Sequence, residues 1–109
     1  MAKGDKITKS KAKKWVKNYK DKHPKSDPKT LWSELFDKKI VTDLLSEPGC
    51  EGLRIYNSYD DNGNLKFILE GTDANGNNLL PANEESTTEA VFLVEDGSGC
   101  PINCPPNDL

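Results

Sequence analysis

The chain has 109 residues, 34% of them apolar and 30% charged, with a formal net charge of -3. That length suits one domain with a modest core and excludes a separate substrate domain. The longest apolar run, "AVFLV" at 90–94, is far too short to cross a bilayer.

The net charge hides a division of sign: residues 1–30 carry eleven Lys against three Asp, whereas residues 31–109 carry four bases against fifteen acids. Such asymmetry suits a nucleic-acid or membrane-surface arm, and equally a basic helix laid against an acidic sheet. The even spread of lysines around the first predicted helix favours the scaffold, so neither strong nucleic-acid binding nor membrane association is expected. The basic N-terminus is followed by no apolar segment, so no secretory signal is read and a cytoplasmic location is the expectation. A mature chain lacking its signal would read the same way.

Ala12, Trp15, Val16 and Tyr19 fall at helical spacing behind Thr8, a suitable N-cap, and predict a helix over 9–22. It must stop before Pro24. Asp27-Pro28 reads as a second helix start, with Leu31, Trp32, Leu35 and Phe36 inward. Beyond a break near Asp37, the pairs Ile40/Val41 and Leu44/Leu45 predict a further helix over about 38–46, stopped by "EPGC". Trp15 and Trp32, with aliphatic neighbours at helical spacing, read as core anchors.

After Gly52 the period changes to two. "LRIYNSY" (53–59) and "LKFILEG" (65–71) predict a hairpin whose Asn62-Gly63 turn takes positive φ at both residues. "NNLL" predicts a short third strand and "AVFLVE" (90–95) the last one. The fold class expected is α+β: two or three N-terminal helices on one face of an antiparallel sheet of three or four strands. A single domain covers 1–109, with a flexible N-terminus at 1–7 and a Cys/Pro-rich tail at 97–109.

The doubled motif, Asp60-x-Asn-Gly-Asn and Asp73-x-Asn-Gly-Asn, invites a reading as calcium loops. An EF-hand needs Gly at position 6 and Glu at position 12. Counted from Asp60 these places hold Leu65 and Gly71, and from Asp73 they hold Asn78 and Glu84. Two turns bounding one strand explain the same letters without metal. The order "KKWVKNY", "EPGCEGLRIY", "DDNGNLKFILEGTDANGN" and "CPINCPP" resembles a group of small uncharacterised bacterial proteins with a Pro-Gly-Cys turn, a Gly-x-Arg-Ile-Tyr strand, an Asn-Gly hairpin and a C-terminal Cys-Pro-x-x-Cys. The resemblance implies the α+β layout and no particular substrate.

Chemistry concentrates in three cysteines. If the tail folds back so that "CPINCPP" meets the "EPGC" turn, Cys50, Cys100 and Cys104 converge as a metal site, with His23 as the one imidazole able to complete a Cys₃His zinc set. A Cys100–Cys104 disulfide or dithiol, and three unconnected thiols, are the other readings. The Cys-x-x-x-Cys spacing after a strand does not fit a thioredoxin-type dithiol. No catalytic triad or phosphate cradle is present in the sequence, and Glu84, Glu85 and Glu89 read as solvated loop residues. The chain therefore reads as a non-enzymatic interaction or regulatory module without a required cofactor. Its recognition surface would be the uncovered sheet face carrying Arg54, Tyr56, Ser58, Lys66 and Glu70, and the alternative is the thiol-dependent metal-binding or redox-responsive site.

Overall fold

The computed structural model describes residues 4–101 and 104–109. The chain is α+β, with two helices and two antiparallel sheets among the described residues: α1 (Lys9–Lys22), β1 (Ser33–Leu35), α2 (Lys38–Leu45), β2 (Gly52–Tyr59), β3 (Leu65–Thr72), β4 (Leu93–Val94) and β5 (Ser98–Cys100). The three-stranded sheet has the order β2-β3-β4, and β1 pairs with β5.

Helix α1 begins where the sequence predicts, with the Thr8 hydroxyl accepting the Lys11 N–H at 3.1 Å. It buries none of its residues. Trp15, expected as a core anchor, is 57% exposed, and Trp32 is half-buried with its indole N–H donating to the His23 carbonyl at 2.8 Å. Ion pairing also departs from a basic helix laid on an acidic sheet. Among the described residues the one lysine of α1 bridged to an acid outside the helix is Lys20, whose partner is Asp108 in the tail at 2.7 Å.

The helix predicted after Pro28 does not form. The Asp27 carboxylate caps the Lys29 N–H at 3.0 Å, and Thr30 N–H bonds the Asp27 carbonyl at 3.1 Å, so the start signal is spent on a turn. The chain then runs extended as β1, with Ser33 opposite Cys100 and Leu35 opposite Ser98. The spacing of Leu31, Trp32, Leu35 and Phe36 satisfied a helix, but pairing with a distant strand overrides that local preference, and Leu35 is left 67% exposed. Helix α2 follows from Asp37, its N-cap. It presents Val41 and Leu44 to Leu69, Val94, Phe36 and Phe92, which form the core on one face of the three-stranded sheet.

Strands β2 and β3 pair in the register Leu53↔Gly71 to Tyr59↔Leu65. The turn between them differs from the expected one: Gly63 alone takes positive φ, at 79°. Asp60 Oδ1 accepts the N–H groups of Asn62 (2.9 Å) and Asn64 (2.8 Å), while Asp60 Oδ2 accepts from the Asn64 amide (3.2 Å). The second copy repeats this, with Asp73 accepting from Asn75, Asn77 and the Asn77 amide at 2.9, 2.9 and 3.2 Å, and Gly76 at φ 83°. Each aspartate is thus the hub of a turn closed on itself, which is what the repeated letters encode.

The "NNLL" strand is reduced to one bridge, Thr72↔Asn78, and the strand expected over 90–95 to Leu93–Val94. The reason lies at Phe92, whose N–H is taken at 2.6 Å by the Glu47 carboxylate instead of a neighbouring strand.

Candidate functional site

The two edges of the main sheet are treated differently. Hydrogen bonding alternates along an antiparallel pair, and the Asp60 N–H bond to the Asn64 carbonyl (2.9 Å) sets the phase. The backbone groups of Arg54, Tyr56 and Ser58 therefore face β3, and those of Leu53, Ile55, Asn57 and Tyr59 face outward. The same phase sends Leu65, Phe67, Leu69 and Gly71 of β3 toward its other side. There Leu69 pairs with Val94, the Leu79 N–H bonds the Gly71 carbonyl at 2.9 Å, and Glu34 from β1 accepts the Phe67 N–H at 2.6 Å. That side is covered from Phe67 to Gly71. Among the described residues no hydrogen bond reaches the outward groups of β2.

Three of the four side chains at the outward positions are aliphatic or aromatic, and Asn57 is the polar one. Leu53 is 40%, Ile55 59% and Tyr59 75% exposed, all on the face that carries the core farther along the sheet. Natural edges are blunted by Lys, Pro, bulges or a covering element. β2 has no Lys and no Pro over eight residues. Its one charge, Arg54, is turned inward along the surface to Asn78 Oδ1 (3.1 Å) and the Gly76 carbonyl (2.7 Å), and Tyr56 accepts from the Asn78 amide at 2.6 Å. Both side chains clasp the second Asn-Gly loop.

The opposite sheet face, expected to be uncovered, is so only in part. Arg54 and Tyr56 are exposed, but Glu70 is completely buried. Among the described residues neither of its carboxylate oxygens has a partner, and Arg54, its neighbour across the strands, is held by the loop. Burial pushes the Glu70 carboxyl above its ordinary value and the charge of Glu47 adds to the rise. Glu47 is raised as well, by burial, against the lowering effect of the Phe92 N–H. Sequence reading missed this pair, since strand alternation alone places Glu70 with the solvated residues.

The three thiols divide into two places. Cys50 is free, donates to the Gly52 carbonyl at 3.3 Å, and sits with Glu47 against Gly71: a Cβ there would meet Glu47 Oε1 at 2.6 Å and the Cys50 sulfur at 3.1 Å. Cys100 and Cys104 are disulfide-bonded, with Cα atoms 4.7 Å apart. The tail is docked, but on β1 and α1 and not by the "EPGC" turn. Trp32 N–H bonds the Cys100 carbonyl at 2.6 Å, and Lys20 donates to both Asp108 Oδ2 and the Leu109 carbonyl at 2.7 Å. Ile102, the apolar residue between the two tail cysteines, lies outside the described residues.

Among the described residues, one group of three or more metal-capable side chains has its ligand atoms within 4.8 Å of one another: Cys100, Cys104 and Asp108. Asp108 supplies the carboxylate that the three-thiol reading lacked, and its hydrogen bond from Lys20 holds the carboxyl below the ordinary range. Cys50 is not in this group, and neither is His23, whose ring stacks on Tyr19 at 4.2 Å. Glu89, read as solvated, staples its own loop by accepting the N–H groups of Ala82 and Asn83, each at 3.0 Å. No described helix is long and apolar enough to cross a membrane.

No protein-family model matches the chain, and no curated protein or solved structure matches it.

Proposed function

We propose that the chain is a non-enzymatic interaction module that works by strand addition at the open edge of β2, and that the strand it receives is β2 of a second copy. The observation that carries this reading is the row of outward backbone groups at Leu53, Ile55, Asn57 and Tyr59, bordered by exposed apolar side chains and guarded by no charge. Backbone groups of this kind recognise an extended chain, and alternate side chains choose which.

Self-pairing satisfies both requirements. A two-fold axis through Tyr56 sets Leu53 opposite Tyr59 of the second copy, Ile55 opposite its Asn57, and Arg54 opposite its Ser58. Outward groups then meet outward groups from Leu53 to Tyr59, and no like charges are opposed within that span. Joining two three-stranded sheets in this way gives a continuous six-stranded one. A single strand pair lies at the small end of specific interfaces, so association is concentration-dependent.

Sedimentation equilibrium over a concentration series tests the reading. The native chain is expected to pass from monomer to dimer, and Ile55→Lys, which places a guarding charge on an already exposed position, is expected to stay monomeric with its melting temperature little changed. A native chain that is monomeric up to submillimolar concentration, or an Ile55→Lys variant that dimerises equally well, refutes it.

A further inference from the structure

We infer that the C-terminal tail is a thiol–disulfide-gated site for a soft divalent cation such as zinc, with Cys100, Cys104 and Asp108 as its protein ligands. The two sulfurs are joined as the disulfide and the Asp108 carboxylate oxygen lies within 4.8 Å of both, so reduction leaves two thiols and a carboxylate side by side, a donor set suited to zinc with a fourth position for water. The site differs from a convergence of all three thiols, since Cys50 sits beside Gly71.

The ligands are held from outside the tail. Trp32 fixes the Cys100 backbone through the 2.6 Å bond to its carbonyl. Lys20 grips Asp108 Oδ2 at 2.7 Å and keeps that oxygen 3.7 Å from the Cys100 sulfur, while its ammonium rests over the Trp32 ring, 4.7 Å from the centroid. Outer partners of this kind orient ligands toward a metal. Cys100 is buried, and Cys104 and Asp108 are exposed, so the set has a dry side and an open side through which an ion enters.

The disulfide closes the site, because the thiolate and not the bonded sulfur is the metal ligand. A dithiol reductant supplies two electrons and two protons: the Cys100–Cys104 bond breaks, two thiols form, and the reductant closes to its own cyclic disulfide. The cation then displaces both protons, forming two metal–sulfur bonds and one metal–oxygen bond to Asp108. A disulfide oxidant reverses the sequence by exchange: it takes up the two electrons and two protons and opens to its dithiol, the Cys100–Cys104 bond re-forms and the ion is expelled.

The test is a titration of the full chain with cobalt(II), read by sulfur-to-cobalt charge-transfer absorption and by displacement with zinc. Reduced protein is expected to bind one equivalent and oxidised protein none. Cys50→Ser is expected to leave binding unchanged and Cys104→Ser to abolish the absorption. Asp108→Asn, which keeps an oxygen for Lys20 and lies outside the core, is expected to weaken binding at least about ten-fold. Absence of binding by the reduced native chain, loss of binding in Cys50→Ser, or unchanged affinity in Asp108→Asn each overturns the assignment.

Discussion

Glu34 reaches from β1 to accept the backbone N–H of Phe67 at 2.6 Å, and so covers β3 at a position that the two-residue β4 is too short to reach. Glu47 does the same at Phe92. In both residues the second oxygen is buried without a partner among the described residues, which is the cost of using a carboxylate as an edge plug. Among the described residues β2 has no such plug, and that asymmetry is the ground for reading it as a binding edge.

Glu34→Ala should therefore destabilise the fold by about 1–3 kcal/mol, because it leaves the Phe67 N–H without its acceptor in a half-buried setting. Glu34→Gln keeps an oxygen in place and should cost less. Urea unfolding of the two variants measures the difference, and equal stability of Glu34→Ala and the native chain would show that water replaces the carboxylate freely.

The Asp60 and Asp73 turns are architectural. Gly63→Val places a β-branched residue at φ 79° and should cost roughly 1–2 kcal/mol. Melting temperatures with calcium and with chelator should coincide, because each aspartate is already occupied by three hydrogen bonds of its own turn. A calcium-dependent rise would contradict this.

Glu47 and Glu70 make stability depend on pH in an uncommon direction for carboxylates. Their native pKa values are raised, so the folded chain holds protons to higher pH than the unfolded chain does. Their contribution is complete below the ordinary value of 4.5 and is lost as pH rises through the raised native values. Asp60 and Asp73, which are lowered, act oppositely, and their contribution is lost only as pH falls through native values below 3.8. Stability should be greatest in mildly acidic solution. Glu70→Gln should raise the melting temperature at neutral pH and flatten the decline, and a native melting temperature that climbs steadily from mildly acidic to neutral pH would refute the assignment.

Gly71 is required by its neighbours and not by its backbone. Alanine there would press on Glu47 Oε1 and the Cys50 sulfur and should destabilise by about 1–3 kcal/mol in thermal unfolding. Combining it with Cys50→Ala, which removes one of the two obstructing atoms, should recover part of the loss. No recovery would mean that the carboxylate alone sets the limit.

Elements whose signals are local were legible in the sequence. Thr8 capping α1, the break at Asp37, and the alternation of β2 and β3 each depend on residues within a few positions. β1 was not legible, because Leu31, Trp32, Leu35 and Phe36 match helical spacing and become strand only by pairing with Ser98–Cys100 at the far end of the chain. The same pairing carried the tail away from Cys50. Of the candidate site, the thiols were visible by type, while Asp108 joined them through a contact with Lys20 that no spacing encodes. Glu47 and Glu70 were invisible because carboxylates read as surface.

The self-pairing of β2 is tested most directly on its two-fold axis. In a Cys50→Ser background, Tyr56→Cys places two thiols opposite each other at a non-hydrogen-bonded position, where Cα atoms lie about 4.5 Å apart, within the range a disulfide spans. Under mild oxidation this variant should form a covalent dimer far faster than Leu53→Cys, whose counterpart in the second copy is Tyr59. Equal and slow cross-linking of the two would contradict pairing in this register and with it the reading of β2 as the binding edge.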